Sequence, residues 1–264
     1  MSEAPFRAAL TTRRFGRVCR WLAETGSTNH DALAWAAQEA PDGAVVTADA
    51  QTAGRGRLSR VWFSPPGKNL YVSLILRPGI EDPARLATLP LIAGFALAEA
   101  LAARLPTCRP RIKWPNDLWL GDKKCCGILC EMQTQGNAMP AVVAGFGMNV
   151  NLTRDELAQE LRDTATSLAI ETGETFSRPR LLAAILNTFE PIYDRWREEG
   201  LAPFLPRLRE RDALRGEPVT LALLGKPLSG IAEGIAPDGA LLLRLPDGTQ
   251  TPVYSGEATR IRRS

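Results

Sequence analysis

The chain has 264 residues, 45% of them apolar and 23% charged, with a formal net charge of +3 from 32 Lys+Arg against 29 Asp+Glu. That length holds one large domain, or a large domain with a small companion, and the near-average composition excludes disordered, collagen-like and disulfide-scaffold chains. A charge of +3 does not by itself imply a nucleic-acid partner. The longest apolar run, residues 89–103, is interrupted by Pro90 and Glu99, and the first twenty residues lack a secretory apolar core, so a cytoplasmic chain with no membrane span is expected.

In chain order, an Arg-rich start leads to Ser27, Thr28 and Asn29, three successive N-cap candidates. Ala32, Leu33, Ala36, Ala37 and Ala40 then recur at helical spacing. Residues 44–49 (AVVTAD) predict a short buried strand, and residues 51–60 (QTAGRGRLSR) a polar, cationic loop. Residues 69–76 (NLYVSLIL) predict a strand, and residues 90–104 a strongly apolar helix. A strand at 111–114 runs into the turn residues Pro115, Asn116 and Asp117. Residues 118–120 and 124–132 predict a hairpin about Gly121 and Asp122. Residues 141–151 (AVVAGFGMNVN) predict a strand whose glycines permit close approach of another group. Residues 179–199 predict an amphipathic helix with Leu182, Ile185, Leu186, Phe189 and Ile192 on one stripe. Beyond Gly216 the texture changes to four short strands, 219–224, 231–236, 240–245 and 253–261, with turns at Gly225, Asp238-Gly239 and Asp247-Gly248. The fold class expected is α+β: a mixed sheet flanked by helices over residues 1–214, followed by a small β-barrel over 215–264.

Five cysteines form no even framework, and Cys125, Cys126 and Cys130 crowd into six residues. In a regular strand Cys126 and Cys130 face one side and Cys125 the other, so they do not converge on a metal, and reduced structural thiols are expected. The single histidine, His30, is read as structural. Lysine is scarce: 27 of the 32 cations are arginine, yet three of the five lysines, Lys113, Lys123 and Lys124, fall within twelve residues. A compact ammonium rather than a guanidinium fork is selected there, as catalytic chemistry often requires.

Three segments carry chemistry. Gly54 and Gly56 alternate with Arg55 and Arg57, which suits either an anion cradle or a solvated basic turn; neither a Walker loop nor a Rossmann glycine fingerprint is present. Ser27, Thr28 and Asn29 suit either a helix cap or a polar ligand's wall. Lys113, Trp114, Pro115, Asn116 and Asp117 form a rigid turn whose carboxylate can hold a ribose, a metal or a lysine, with Lys124 returning close to it.

Taken in order, these segments resemble the biotin protein ligases (biotin–[biotin carboxyl-carrier protein] ligases). The resemblance rests on Ser27-Thr28-Asn29, on Gln51 through Arg57 with Trp62, and on Lys113 through Asp117. It continues in Lys124 before Gly127-Ile128-Leu129 and in the GFGMNVN stretch of residues 145–151. It implies a biotin/lipoate ligase-like catalytic domain with a Src-homology-type barrel, and a two-step reaction. Biotin and ATP with Mg2+ give biotinyl-AMP and pyrophosphate, and a lysine of a biotin carboxyl carrier protein then takes the biotinyl group. By the same resemblance Ser27, Thr28, Asn29 and Gln51 position biotin, and Arg55 and Gly56 cradle carboxylate and phosphate. Arg57 and Lys124 supply cations where two anions meet. Trp62, Lys113, Asn116 and Asn149 fall on the nucleotide side, where Trp62 is either an adenine platform or a core residue. Asp117 orients the carrier lysine, and no protein metal ligand is assigned.

The usual small residues between the lysine and Gly-Ile-Leu are replaced by Cys125 and Cys126, which suggests oxidation sensitivity. The 26 residues before Ser27 are too few for a self-standing winged helix, so DNA is not an expected partner. A homodimer is an allowed assembly. Two rivals stay open: a lipoate protein ligase, and a non-catalytic ligand- or RNA-binding module, which would have no need of lysine over arginine at position 124.

Overall fold

The computed structural model describes residues 2–105, 108–133, 141–222 and 227–261. A helix α1 (Glu3–Ala9) precedes β1 (Cys19–Thr25), α2 (Thr28–Ala36), β2 (Val45–Gln51) and β3 (Leu70–Leu76). Then come α3 (Pro83–Leu86), α4 (Leu89–Ala102), β4 (Arg111–Lys113), β5 (Asp117–Leu120), β6 (Lys123–Gln133) and β7 (Ala141–Met148). After α5 (Leu168–Thr172), α6 (Arg178–Glu199) and α7 (Leu205–Glu210) follow β8 (Pro218–Ala222), β9 (Leu228–Ile235), β10 (Leu241–Arg244), β11 (Gln250–Val253) and β12 (Glu257–Arg260).

The first seven strands form one sheet in the order β1-β2-β3-β7-β6-β5-β4. Only β1 and β2 run parallel, joined through α2 as a crossover; the other neighbours are antiparallel. Alternation along the strands divides the sheet into two unlike faces. Leu70, Val72, Leu74 and Leu76 of β3 join Val142, Ala144, Phe146 and Met148 of β7 in the main core with α4 and α6. Helix α4 is apolar on all sides and almost wholly buried, which is why residues 83–102, long and apolar enough to cross a membrane, are used here as core. Helix α6 buries Leu182, Ile185, Leu186 and Phe189 of the expected stripe, leaves Ile192 partly exposed, and adds Leu181, Tyr193 and Trp196 to the core.

The opposite face is only half covered. Ala32 and Ala36 of α2 pack on Val46, Ile75 and Val143, and the small alanines let that helix lie close to the sheet. Beyond α2 the face continues as Gly127, Gly145 and Gly147, with Gly127 paired to Gly147 and Ser73 to Gly145. No side chain rises from these three glycines, and Asn29, Trp62 and Lys124 lie directly over them.

The last five strands form an antiparallel sheet, β11-β10-β9-β8-β12, curled into the small Src-homology-type barrel. The expected strand at 253–261 is in fact two, β11 ending at Val253 on one edge of this sheet and β12 starting at Glu257 on the other, with Gly256 at φ 130° in the crossing between them. Of the expected strand at 219–224, residues 223 and 224, with the turn at Gly225, lie outside the described residues. Five elements carry no clear periodicity in the sequence: α1, β1, α3, α5 and α7. Strand β1 is at the sheet edge and half exposed throughout, so it lacks a buried face to pattern its residues.

The two sheets are joined firmly. Trp114, buried beneath the turn after β4, donates its indole Nε1 hydrogen to Gly239 O at 3.0 Å. Ile112 N donates to Arg211 O at 2.7 Å and Ala213 N donates to Ile112 O at 2.9 Å, so the connecting segment runs beside β4 like an added strand.

Candidate active site

A cavity of about 1180 Å³ lies over the glycine floor, between α2, the loop after β2, the β5–β6 hairpin and the barrel. Ser27, Thr28, Asn29, Gln51, Arg55, Gly56, Arg57, Trp62, Lys113, Asn116, Asp117, Lys124 and Asn149 all line it. Every site residue expected from the sequence is thus brought to one enclosure, from five separate stretches of chain.

The wall formed by α2 is a hydrogen-bond network rather than a helix cap. Ser27 occupies the N-cap position, yet its side chain makes no capping bond. Gln51 Oε1 instead accepts from Thr28 N at 2.9 Å and from Thr28 Oγ1 at 3.1 Å, and Gln51 Nε2 donates to Ser64 Oγ at 3.0 Å. Asn29 Nδ2 donates to Glu131 Oε2 at 2.7 Å and to Leu129 O at 3.2 Å, while its Oδ1 accepts from Ser73 Oγ at 2.6 Å. A methyl group at Gly145 would overlap Asn29 Oδ1, so that glycine makes room for this amide.

The cationic loop folds back on itself. Gly56 N donates to Arg60 O at 2.8 Å and Trp62 N donates to Gly54 O at 2.9 Å. Gly54 is required by this closure, since a methyl there would stand 2.6 Å from Ser64 Oγ and 2.7 Å from Trp62 O. Gly56 meets nothing so close. Leu58 and Ser59 hold left-handed φ of 56° and 58°, a conformation that costs about 1 kcal/mol or more per residue and recurs at ligand clamps.

The guanidiniums of this loop reach across the cavity. Arg57 donates to Asn116 Oδ1 at 3.0 Å and to Gly256 O at 3.4 Å. Arg60 forms a two-pronged pair with Glu257 of β12 and holds that carboxyl below the usual carboxylate range. Arg60, Gly256 and Glu257 were not legible as site residues, because barrel and loop are about 200 positions apart in sequence.

Opposite the loop, Lys124 Nζ lies 2.7 Å from Asp117 Oδ1, and Lys113 Nζ lies 3.9 Å from Asp117 Oδ2. Asp117 therefore holds lysines, the third of the roles its turn allows. Burial pulls the Lys113 ammonium below its ordinary pKa, against the opposing pull of Asp117. Trp62 packs its ring 3.1 Å from where a Gly127 side chain would begin, and a methyl at Gly147 would overlap its indole. It is half-buried, with Lys124 Nζ 5.3 Å from the ring centroid, so it belongs to the cavity and not to the core. Its Nε1 is buried without a protein partner. Asn149 lines the cavity while its Nδ2 donates to Thr166 O at 3.0 Å, which commits that amide to the scaffold.

Two cysteine expectations are corrected. Cys125 and Cys126 do not face opposite sides into different surroundings: both are fully buried, because the β5–β6 register shifts here and Cys125 is the extra residue of a bulge. Burial also pushes both thiols up, so the oxidation sensitivity suggested by their position is not supported. Among the described residues no three His, Cys, Asp or Glu side chains gather into a metal-ligand set.

Comparison with known proteins agrees with this geometry. Residues 21–149 match the biotin/lipoate A/B protein ligase family, and residues 215–259 match the biotin protein ligase C-terminal domain. The bifunctional ligase/repressor BirA of Bacillus spizizenii is 37% identical over 97% of this chain and 78% of its own length. The biotin--[acetyl-CoA-carboxylase] ligase of Paracoccus denitrificans is 37% identical over 87% of this chain and 95% of its own. The biotin protein ligase of Aquifex aeolicus, solved in complex with biotin and ATP, superposes with a TM-score of 0.81 at 30% identity, covering 94% of this chain and 100% of that one. With both domain models matched in order, this chain belongs to the biotin protein ligases, enzymes that form a carbon–nitrogen bond.

Proposed function

We propose that the chain activates biotin with ATP and transfers it to a lysine of a biotin carboxyl carrier domain, in the cytoplasm. In the first step a biotin carboxylate oxygen attacks the α-phosphorus, forming the acyl-phosphate bond of biotinyl-AMP and releasing pyrophosphate. In the second, the carrier lysine amine attacks the acyl carbon; an amide forms, a proton is lost and AMP leaves. The observation that carries this reading is the gathering of thirteen motif residues on one cavity.

The first step brings two anions together, so positive charge fixed in advance lowers its barrier most. Lys124, held by Asp117, stands between carboxylate and α-phosphate, and Arg55 and Arg57 flank it from the loop. Lys113 and Asn116 face the phosphates, and Mg2+ arrives with ATP as part of that substrate. The polar wall of Ser27, Thr28 and Gln51, with Asn29 behind it, takes the biotin head group, whose buried ureido group needs matched donors and acceptors. Trp62 offers its indole face to adenine. Asp117 orients the entering lysine as AMP departs.

The barrel favours biotin over lipoate, since its sequence matches the C-terminal domain of biotin protein ligases. The test is direct: incubate the protein with biotin, ATP, Mg2+ and a carrier domain, measure pyrophosphate, and probe the carrier with streptavidin. Pyrophosphate release that depends on biotin, with a labelled carrier, is expected; release with lipoate alone, or none with either, overturns the proposal.

A further inference from the structure

Glu131 lies behind the cavity wall, on β6, and does not line the cavity itself. It is the carboxylate of the network that supports the wall. One oxygen accepts from Asn29 Nδ2 at 2.7 Å, and the other lies 3.5 Å from the Arg55 guanidinium.

A carboxylate only accepts, and this has consequences along the chain of contacts. Together with the more distant Leu129 O, which also only accepts, it turns the Asn29 amide so that Nδ2 faces these two oxygens and Oδ1 faces Ser73. Ser73 has one hydroxyl hydrogen, and at 2.6 Å it goes to Asn29 Oδ1. Ser73 Oγ also lies 2.9 Å from Thr28 Oγ1 and is left to accept. Thr28 must then spend its own hydrogen inward, on Ser73 or on Gln51 Oε1. Its oxygen consequently offers a lone pair, not a hydrogen, to whatever fills the cavity. Ser73 is fully buried and Asn29 and Thr28 nearly so, and water does not compete to reorient them.

We infer that Glu131 is a specificity-determining positioning residue: it sets the hydrogen-bond polarity of the wall so that Thr28 accepts from a ligand N–H. This rests on the proposed function, in which that N–H belongs to the ureido ring. A site with a fixed acceptor discriminates strongly against a ligand lacking the matching donor, because the buried acceptor is then left unpaired.

The experiment compares kcat/KM for biotin with that for a biotin analogue methylated at both ureido nitrogens, using pyrophosphate release by the full chain. Wild-type protein inactive with biotin overturns the function reading and is scored before any variant. In active protein, Glu131→Ala is expected to lower the discrimination ratio about 10-fold or more. Glu131→Gln, whose carbonyl oxygen still accepts from Asn29, is expected to keep it within about threefold. Ser73→Ala breaks the relay without touching Glu131 or Arg55, is expected to lower the ratio as Glu131→Ala does, and stands in if that variant fails to fold. A general loss of stability lowers both rates and leaves the ratio alone. A ratio unchanged in Ser73→Ala, or lost equally in Glu131→Gln and Glu131→Ala, overturns the inference.

Discussion

Lys124 Nζ stands 2.7 Å from Asp117 Oδ1, a pairing that an unbroken ladder between β5 and β6 would forbid. Asp117 pairs with Gly127 and Leu118 with Cys126, so regular register would put Lys124 on the opposite face from Asp117. The extra residue, Cys125, shifts the pairing so that Trp119 meets Lys124, and the ammonium turns onto the glycine floor. The same bulge buries both cysteines and aims the lysine.

Replacing Lys124 by Arg places a planar fork where a compact ammonium fits between Asp117 and the Trp62 ring. Displacement of the charge by about 1 Å costs on the order of 100-fold in rate. Biotin-dependent pyrophosphate release by Lys124→Arg should fall by that factor with the melting temperature little changed. Activity at the wild-type level would reduce Lys124 to a structural cation.

Gly145→Ala puts a methyl group into the space of Asn29 Oδ1. Overpacking of this kind costs about 1–3 kcal/mol. The displaced amide should raise KM for biotin more than KM for ATP. Steady-state kinetics varying each substrate in turn will tell; equal change in both KM values would falsify the placement of Asn29 behind the biotin pocket.

Arg57 and Arg60 are held by Asn116, Gly256 and Glu257, so the loop's order depends on the barrel. Exposed pairs of this kind contribute about 0–1 kcal/mol each, and the loop buries little apolar surface. In Glu257→Gln, trypsin should cut sooner after Arg60. In the wild type, biotin with ATP and Mg2+ should slow cuts at Arg55, Arg57 and Arg60 more than at Arg13. Mass spectrometry of the early fragments reads both effects, and identical cleavage with and without ligands counts against loop closure.

Asp212, in the segment joining the two sheets, is pushed up to about 6 by burial, and its Oδ2 has no partner. A carboxyl with a raised folded pKa binds its proton more tightly in the native state. Its contribution is therefore most favourable below the unfolded value of about 4 and declines as pH rises to about 6, after which it is flat. Asp212→Asn keeps an acceptor for Leu214 N and removes this decline. Urea denaturation should show the variant more stable by about 2–3 kcal/mol at pH 7, with no gain at pH 4. A gain independent of pH would assign the effect to something other than titration.

Cys125 and Cys126 should resist thiol reagents in the native protein, since the thiolate is the reactive form and burial disfavours it at both positions. Ellman titration at pH 8 should detect them only after unfolding. Rapid native labelling of either would show that the β5–β6 hairpin opens.

Much of the site was legible in the sequence because its chemistry needs particular residue types on short contiguous stretches. Scarce lysines gather near the WPND turn, and glycines recur where Asn29 and Trp62 press on the floor. The Gly121-Asp122 hairpin and the α6 stripe follow from local turn chemistry and helical period, which neighbouring residues suffice to specify. The parts that stayed hidden depend on distant partners. Glu131 and Ser73 look like ordinary strand residues until folding sets them against Asn29, and Glu257 reaches Arg60 only when the barrel docks. The bulge at Cys125 is equally silent, since an alternating strand and a strand with one extra residue are written in the same letters. Residue identity determined which charges and hydrogen-bonding groups were present; strand register and domain packing, set by burial of the two sheet faces, decided which of them meet.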